Sequence, residues 1–430
     1  MYKILHSIKK NNMIFVSAQP DIPYFHWQVE IYLYQFSKHN IQNNCYALFG
    51  YTANEPSVYL KELSKKYNII SYKDDRIINN YQPTIRHHLL AKFLKDYPEH
   101  GKNMFYHDSD ILFVNLPKFN LMLNDNINYL SNTISYIGYD YIYNCALRYK
   151  IKYDELQDND IFIKMCNIID IDQDLVKNNE LNSGGAQYLL KDIDYLFWEE
   201  CEEKSNKLYK FFCDYELKYP LDNPIQKWTT DMWVVLWLLW KYKKITKIHD
   251  ELNFSWAVDS IETYYSKPIF HLAGITTNNN KDKFFKGEYI NKFLFDEYIK
   301  NNNIFNNIDK NNSTYQYIKI VSEYINKNNI RLLDDKYNNI NIFQIITTNE
   351  INNIYIKDFN KKCCNKNIWR SLNKKYIIFY SKINWIITYS SLENEIGENC
   401  GGIAFNNLLY PFENNWNINC EINIIDNDLL

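Results

Sequence analysis

The sequence predicts an α/β protein: a mostly parallel sheet flanked by helices, followed by a smaller β-rich domain. Three observations lead there. Short apolar runs alternate with helical periodicities through the N-terminal part of the chain. The fourth such run ends in Asp108-Ser109-Asp110. Beyond Gln316, strand-like runs dominate.

The elements follow in order. Met13 to Ser17 is a short apolar run ending in Ala18-Gln19-Pro20, which reads as a strand followed by a loop. Trp27 to Phe36 has helical periodicity. Asn44 to Gly50 reads as a second strand, Pro56 to Tyr67 as a helix, and Ile69 to Tyr72 as a third strand. Pro83 opens a helix running to Asp96, because proline suits a first helical turn. Met104 to Tyr106 is the fourth strand. Strands alternating with helices at this spacing build a parallel sheet, and such sheets bind ligands beyond the carboxyl ends of their strands. That rule places Ser17 to Gln19, Asp108 and Asp110 at a common edge. A polar, aromatic stretch (Asn124 to Glu180) leads to Asn182-Ser183-Gly184-Gly185, read as a turn before a long helical region. The apolar run Met232 to Trp240 stops at Lys241 and reads as a buried helix. Residues 1–300 form the expected first domain, the Asn-rich 301–315 a linker, and 316–430 the β-rich domain. The strand candidates of the last domain are Asn341 to Thr347, Tyr376 to Tyr380, Trp385 to Tyr389 and Gly402 to Phe405.

Composition bounds the function. The chain has 430 residues, 46% of them hydrophobic and 17% aromatic, enough for a large core. A net charge of −3 gives no electrostatic footprint for nucleic acid or an anionic membrane. The Asn, Ile, Lys and Tyr runs reflect an AT-rich genome rather than function. No run is apolar enough to span a membrane, and Met1 to Asn12 is too polar for a signal peptide. Nine scattered cysteines form no framework, so reduced thiols in a cytoplasmic setting are expected, that of a host cell if the chain is viral.

The acidic pair carries the chemistry. Residues i and i+2 of an extended segment point to one side, so Asp108 and Asp110 aim two hard oxygen ligands at one point. That suits Mg²⁺ or Mn²⁺ held jointly by carboxylates and a substrate diphosphate. Other chemistry-bearing residues follow at intervals: Arg86 in the helix before the fourth strand, Asn182-Ser183-Gly184-Gly185 with Gln187 beyond it, Asp231 after Trp228-Thr229-Thr230, and His271 with Gly274. Paired His87-His88 diverge on a helix and are not one metal's ligands. Asp231 reads either as a first-turn helix acid or as a group that binds sugar hydroxyls or acts as a base.

In this order, over residues 12–290, the chain resembles the GT-A glycosyltransferases. It is most similar to the group holding glycogenin, the lipooligosaccharide galactosyltransferases and the plant peptidyl-serine and hydroxyproline glycosyltransferases. The resemblance implies a GT-A fold and a transferase that moves galactose or glucose from a UDP-sugar to a hydroxyl on a protein or glycan, with retention favoured. It implies Asp108, Asp110 and His271 as Mn²⁺ (or Mg²⁺) ligands, with Ser109 between them. It implies a donor site that includes Ser17, Ala18, Gln19, Arg86, Gly184, Gly185, Gly274 and Lys286. Asn182, Gln187 and Asp231 would meet the sugar or the acceptor. The family's lysine follows its His-x-x-Gly closely, whereas Lys281, Lys283 and Lys286 come later here, so which one meets phosphate stays open. Two rivals remain: a non-catalytic sugar-binding or structural protein on the same fold, and another nucleotide-dependent transferase. The second usually needs a Gly-rich loop after the first strand, and Ser17-Ala18-Gln19-Pro20 has none.

Overall fold

A computed structural model describes residues 1–330, 340–364, 366–397, 402–406, 411, 416–418 and 420–424. It contains two compact units. The first is Met1–Gly50 with Lys66–Asn328, and the second is Tyr51–Lys65 with Asn329–Leu430.

The first unit is α/β, as expected. Its strands are β1 (Ile14–Pro20), β2 (Cys45–Tyr51), β3 (Ile69–Lys73), β4 (Asn103–Tyr106), β5 (Ile111–Phe113), β6 (Asn128–Asn132), β7 (Gly184–Lys191), β8 (Thr246–Ile248), β9 (Phe254–Trp256) and β10 (Ile269–His271). Seven form one sheet in the order β3-β2-β1-β4-β7-β6-β8. β1 runs parallel to β2 and β4, and β6 runs parallel to β8. β7 is antiparallel to both neighbours, so the sheet is mixed, with β2, β1 and β4 parallel. A second, three-stranded sheet has the order β5-β10-β9.

Aromatic packing fixes the junction between the two sheets. Phe15 of β1 meets Phe36, Phe105, Phe113 and Phe119 edge-on, with centroids 5.4–6.0 Å apart. Phe36 also stacks flat on Phe113 at 4.2 Å. Phe105 lies before the acidic pair and Phe113 after it, so both flanks of that turn are anchored in one core. The Gln35 amide completes the anchor. Its Nε2 donates to Phe113 O (2.6 Å) and its Oε1 accepts from Phe113 N (3.1 Å), as a neighbouring strand would.

Several expectations need correction. β1 does not end at Ser17. It pairs with β2 out to Pro20 opposite Gly50, so Ser17 to Gln19 are strand residues rather than a loop. Asn182-Ser183-Gly184-Gly185 is not a turn before a helix: a 3-10 turn at Glu180–Asn182 leads straight into β7. Pro83 caps the helix Thr84–Asp96 rather than sitting in its first turn. The helix expected over residues 56–67 is only Val58–Leu63. A polar N-terminal helix, Tyr2–Lys10, has no apolar run to reveal it and buries only Ile8 completely.

The expected linker at 301–315 and the following residues pack in the first unit, whose boundary falls after Asn328. Phe305 is buried against Phe284 despite its Asn-rich surroundings, and Asn312 donates to Asp259 O (3.2 Å). The helix Thr314–Lys327 then buries Tyr317, Val321 and Tyr324.

The second unit is β-rich, as expected. Its strands are β11 (Ile342–Ile346), β12 (Asn353–Cys363), β13 (Lys366–Ser371), β14 (Tyr376–Tyr380), β15 (Trp385–Tyr389), β16 (Ala404–Asn406) and β17 (Glu421–Ile424). They form one antiparallel sheet in the order β16-β15-β14-β13-β12-β11-β17. Glu393 accepts from both terminal nitrogens of Arg370 at 2.6 Å, a bidentate pair that ties the segment after β15 to β13. The described cysteines carry free thiols, and Cys400 and Gly401 lie outside the described residues. Among the described residues no helix is long and apolar enough to cross a membrane. The apolar helix Thr230–Lys241 is a buried core element, as expected.

His87 on the helix Thr84–Asp96 makes the core sensitive to acid. Its ring is fully buried, with Nδ1 3.5 Å from Ser205 Oγ, and burial lowers its pKa from 6.5 to about 4. The unfolded chain takes up this proton near 6.5 while the folded chain stays neutral. The contribution is therefore complete above pH 6.5 and is lost as pH falls toward 4. The urea midpoint should drop between pH 7 and pH 5, with His87 adding at most about 1.4 kcal/mol per pH unit. An equal drop in a folded His87→Phe variant would show that this group is not the cause.

Candidate functional site

The acidic pair lies where the two sheets meet. β4 ends at Tyr106, and His107 extends the pairing by donating its N–H to Val16 O (3.0 Å). The chain then turns through Asp108-Ser109-Asp110 into β5, which pairs antiparallel with β10 so that Ile111 stands opposite His271. Leu272 N donates to Asp110 O at 3.0 Å. Backbone pairing therefore brings His271 beside Asp110 across a long sequence separation.

Three donor atoms converge as a result. His271 Nε2 is 3.4 Å from Asp108 Oδ2 and 3.3 Å from Asp110 Oδ1. Among the described residues these three side chains are the one acid-and-histidine group whose ligand atoms, one per residue, lie within 4.8 Å of one another. The remaining oxygens are held by cations. Arg86 Nη1 donates to Asp108 Oδ1 (2.5 Å), and Lys286 Nζ pairs with Asp110 Oδ2. Each aspartate thus turns one oxygen to a cation and the other to the imidazole. Two carboxylate oxygens and one imidazole nitrogen facing one another fit a divalent transition ion. Desolvation works against the Asp110 charge, but Lys286 and then His271 outweigh it and hold its carboxyl below the usual range. Desolvation likewise opposes the Lys286 charge, and Asp110 more than compensates, so that ammonium is held above its usual value.

Arg86 also reaches a third carboxylate. Its Nη2 donates to Asp231 Oδ2 (2.6 Å). The other oxygen, Asp231 Oδ1, accepts from Tyr81 OH (2.6 Å), whose hydroxyl also lies 2.8 Å from Trp228 O. Asp231 occupies the first turn of the helix Thr230–Lys241, with both oxygens engaged in this network. Tyr81 belongs to the site, yet nothing in the sequence singles it out among 38 tyrosines. Tyr24, which the sequence offers with Phe25 and Trp27 as a ring to stack on uracil or an acceptor sugar, lies half-buried beside Lys286 and Asp110. Burial raises its phenol pKa first, with Lys286 opposing and Asp110 reinforcing the shift.

β7 contributes through a bulge. Tyr188 pairs with Leu130 and Gly185 with Ser131, so Ala186 and Gln187 are extra residues on this strand. Ala186 adopts φ +65°, a conformation L-residues other than Asn and Asp seldom hold. Gln187 is fully buried, and neither atom of its amide has a partner among the described residues. A buried, unpartnered amide beside a bulge is the kind of strained polar feature that clusters at ligand sites. Gly184 is required for packing rather than for access: a Cβ there would lie 2.5 Å from Ser131 O. At Gly185 the nearest atom to a Cβ would be Met232 Cε, at 2.6 Å, the end of a flexible side chain.

The other expected residues divide. Arg86, Asp108, Asp110, Asp231, His271 and Lys286 are joined in one network, and Ser109 is buried in the turn between its aspartates. Of the three candidate lysines, Lys286 is the one in contact with the pair. Gly274 is exposed at φ +91° against the Trp256 ring. Ser17 turns inward, its hydroxyl 2.8 Å from Tyr32 OH. Ala18 is buried in the core, and Gln19 donates to Leu48 O (2.8 Å). Asn182 closes the 3-10 turn, half-buried, and the ion-pair network of the described residues does not include it.

No family model and no curated protein matches the sequence. Among solved structures the chain is similar to a galactosyltransferase, LgtC, in complex with donor and acceptor sugar analogs. That match has 11% identity and a TM-score of 0.29, covering 61% of this chain and 87% of that one. An active-site mutant of LgtC matches at 10% identity and TM-score 0.30, covering 61% and 88%. A glycosyltransferase involved in glycosylation of the major capsid of PBCV-1 matches at 9% identity and TM-score 0.25, covering 65% and 98%.

The bulge supplies a test. Glycine usually weakens a strand, but at positive φ it relieves strain. Ala186→Gly should therefore leave stability unchanged or raise it, while Ala186→Val should lower it by about 1–3 kcal/mol. Equal destabilisation by both, measured as urea midpoints, would mean that Ala186 is not strained.

Proposed function

We propose that this chain is a metal-dependent glycosyltransferase that moves a hexose, galactose or glucose, from a UDP-sugar to a hydroxyl acceptor on a protein or glycan. The convergence of Asp108 Oδ2, Asp110 Oδ1 and His271 Nε2 carries the reading, with each aspartate's other oxygen held by a cation. Mixed carboxylate and imidazole ligation suits Mn²⁺, with Mg²⁺ the alternative. When bound there, such an ion supplies positive charge against the diphosphate that leaves the sugar.

The chain's own residues take the remaining roles in this reading. Lys286 and Arg86 stand beside the ligand oxygens and pair with phosphate, the first as a point charge and the second through its planar fork. Asp231, with Tyr81 on its other oxygen, positions Arg86 rather than acting as a free base. The unpartnered Gln187 amide donates to and accepts from hydroxyls of the transferred sugar. Asn182 and Gly185 shape the approach to it, Gly184 lets β7 pack close on β6, and Gly274 shapes the approach to His271. With Ser17 committed to Tyr32 and Ala18 packed in the core, Gln19 Oε1 is the unpartnered polar atom that the β1 end offers a nucleoside. Retention of configuration is the outcome the family resemblance favours. A non-catalytic sugar-binding protein on the same fold would bind the donor without turnover, so one assay separates the two.

A nucleotide-sugar panel with and without Mn²⁺ tests the proposal. Ligand at roughly a hundred times its Kd stabilises the native state by about 2.7 kcal/mol. UDP-glucose or UDP-galactose with Mn²⁺ should raise the melting temperature by a few degrees, EDTA should remove most of the rise, and UDP should be released slowly. Asp110→Asn should keep the fold and lose the Mn²⁺-dependent part. The enzyme reading fails if no UDP-sugar shifts the melt, or if Asp110→Asn responds like the unaltered chain.

A further inference from the structure

The acceptor side of the site is bordered by aromatic rings that the donor reading does not use. The chain has ten tryptophans, and eight of them are at most 4% exposed. Of the two exceptions, Trp256 stands against His271, and Trp228 lies next to Tyr136 with its carbonyl at Tyr81. Trp256 stacks on the His271 ring (5.6 Å between centroids, 20° between planes). Tyr136 packs edge-on to Trp256 at 6.0 Å and lies near-parallel to Trp228 at 6.4 Å and 25°. The rings form one wall from His271 outward to Trp228, which is 59% exposed.

This wall is held in place. The Tyr81 hydroxyl proton is shared between the Trp228 carbonyl (2.8 Å) and Asp231 Oδ1 (2.6 Å), and Asp231 is tied through Arg86 to Asp108. The short helix carrying Tyr136 is fixed by Trp233 Nε1, which donates to Ile137 O (2.8 Å). β7 closes in from its other side, since a Cβ on Gly185 would lie 3.4 Å from Ile137 Cδ1. Trp228 keeps 59% of its surface exposed although its ring lies near-parallel to Tyr136. A large indole kept in water beside a polar cluster, on a backbone fixed by the cluster's own hydrogen bonds, is a preorganised flat surface.

We propose that Trp228, backed by Tyr136 and Trp256, is a stacking platform for a neutral pyranose ring of the acceptor, so that the acceptor is a glycan rather than a bare protein side chain. The inference rests on the glycosyltransferase reading and extends it to the acceptor. A pyranose presents a flat face of C–H groups that matches an indole and a rim of hydroxyls that need polar partners, and the wall leads through His271 to the carboxylates Asp108 and Asp110. Charge favours a neutral ring. Arg86 and Lys286 are paired with the three carboxylates, and with the imidazole counted neutral the cluster carries −1, which repels an acidic acceptor.

The test uses the full chain with Mn²⁺ and UDP, titrated with methyl β-galactopyranoside, lactose and cellobiose and read by ligand-observed NMR. At least one pyranoside should bind. Trp228→Ala should weaken it by roughly tenfold or more, the loss expected for one desolvated aromatic contact. Trp228→Phe, which keeps a ring, should retain most of the binding and guards against a folding defect in the alanine variant. Tyr265→Ala removes an equally exposed ring (59%) outside the wall and should change nothing. In transfer assays the same Trp228→Ala change should raise the acceptor KM far more than it lowers kcat. The platform is overturned if no pyranoside binds while UDP-sugar does, if Trp228→Ala binds pyranosides normally, or if a Ser/Thr peptide without sugar is the better acceptor. If neither UDP-sugar nor pyranoside binds, the glycosyltransferase reading falls with it.

Discussion

The site depends on one guanidinium. Arg86 holds Asp108 and Asp231 at once and so joins the helix Thr84–Asp96, the turn after β4 and the helix Thr230–Lys241. Desolvation opposes its charge, but Asp231 and then Tyr106 and Asp108 stabilise it and hold its pKa well above the usual value. Without Arg86, two largely buried carboxylates would face each other with no cation between them. Removing one partner of a buried ion pair typically costs about 3–5 kcal/mol, because the charge left behind has lost its water. The fork of arginine matters here, since lysine offers a single point charge and would satisfy one of the two.

Around this bridge, backbone geometry places what charge alone could not. The turn Asp108-Ser109-Asp110 carries the chain from the large sheet into the small one, and β5 pairs there with β10. His271 therefore reaches the pair by strand register, not by sequence proximity. Phe105 and Phe113 lock both ends of the turn into the Phe15 cluster, and Gln35 satisfies the backbone of β5 as a surrogate strand. The bulge at Ala186 is the counterpart on β7. It interrupts the two-residue alternation and leaves the Gln187 amide buried without a partner.

Much of the first unit was legible because its signals are local. Apolar runs bounded by polar residues located β1 to β4, and the i, i+2 pairing of Asp108 with Asp110 needed only an extended segment. What was not legible was set by partners distant in sequence. Gly184-Gly185 has turn composition but lies in a strand, and at Gly184 close packing on Ser131 and Leu130 of β6 leaves no room for a side chain. Ser17 to Gln19 reads as a loop until pairing with β2 extends β1 to Pro20. The 301–315 segment looks like a linker by its asparagines, yet Phe305 and Asn312 bind it to the first unit. Tyr81 carries no signal of its own, and its role exists only once the Trp228 carbonyl and Asp231 are brought to it.

The charge count constrains how ligands can enter. Asp108, Asp110 and Asp231 contribute −3, Arg86 and Lys286 contribute +2, and with the imidazole counted neutral the cluster carries −1. A divalent cation alone would turn this to +1 beside two cationic side chains, and a diphosphate alone would add several negative charges to a site already negative. Each ligand offsets the charge that the other introduces, so binding of either should favour the other. That coupling is reciprocal by thermodynamic necessity: whatever factor the ion adds to nucleotide affinity, the nucleotide adds to ion affinity. In the proposed reading, a cluster of this composition is therefore better suited to a metal–diphosphate pair than to either component alone, and Lys286, paired with Asp110, is the cation that would meet both.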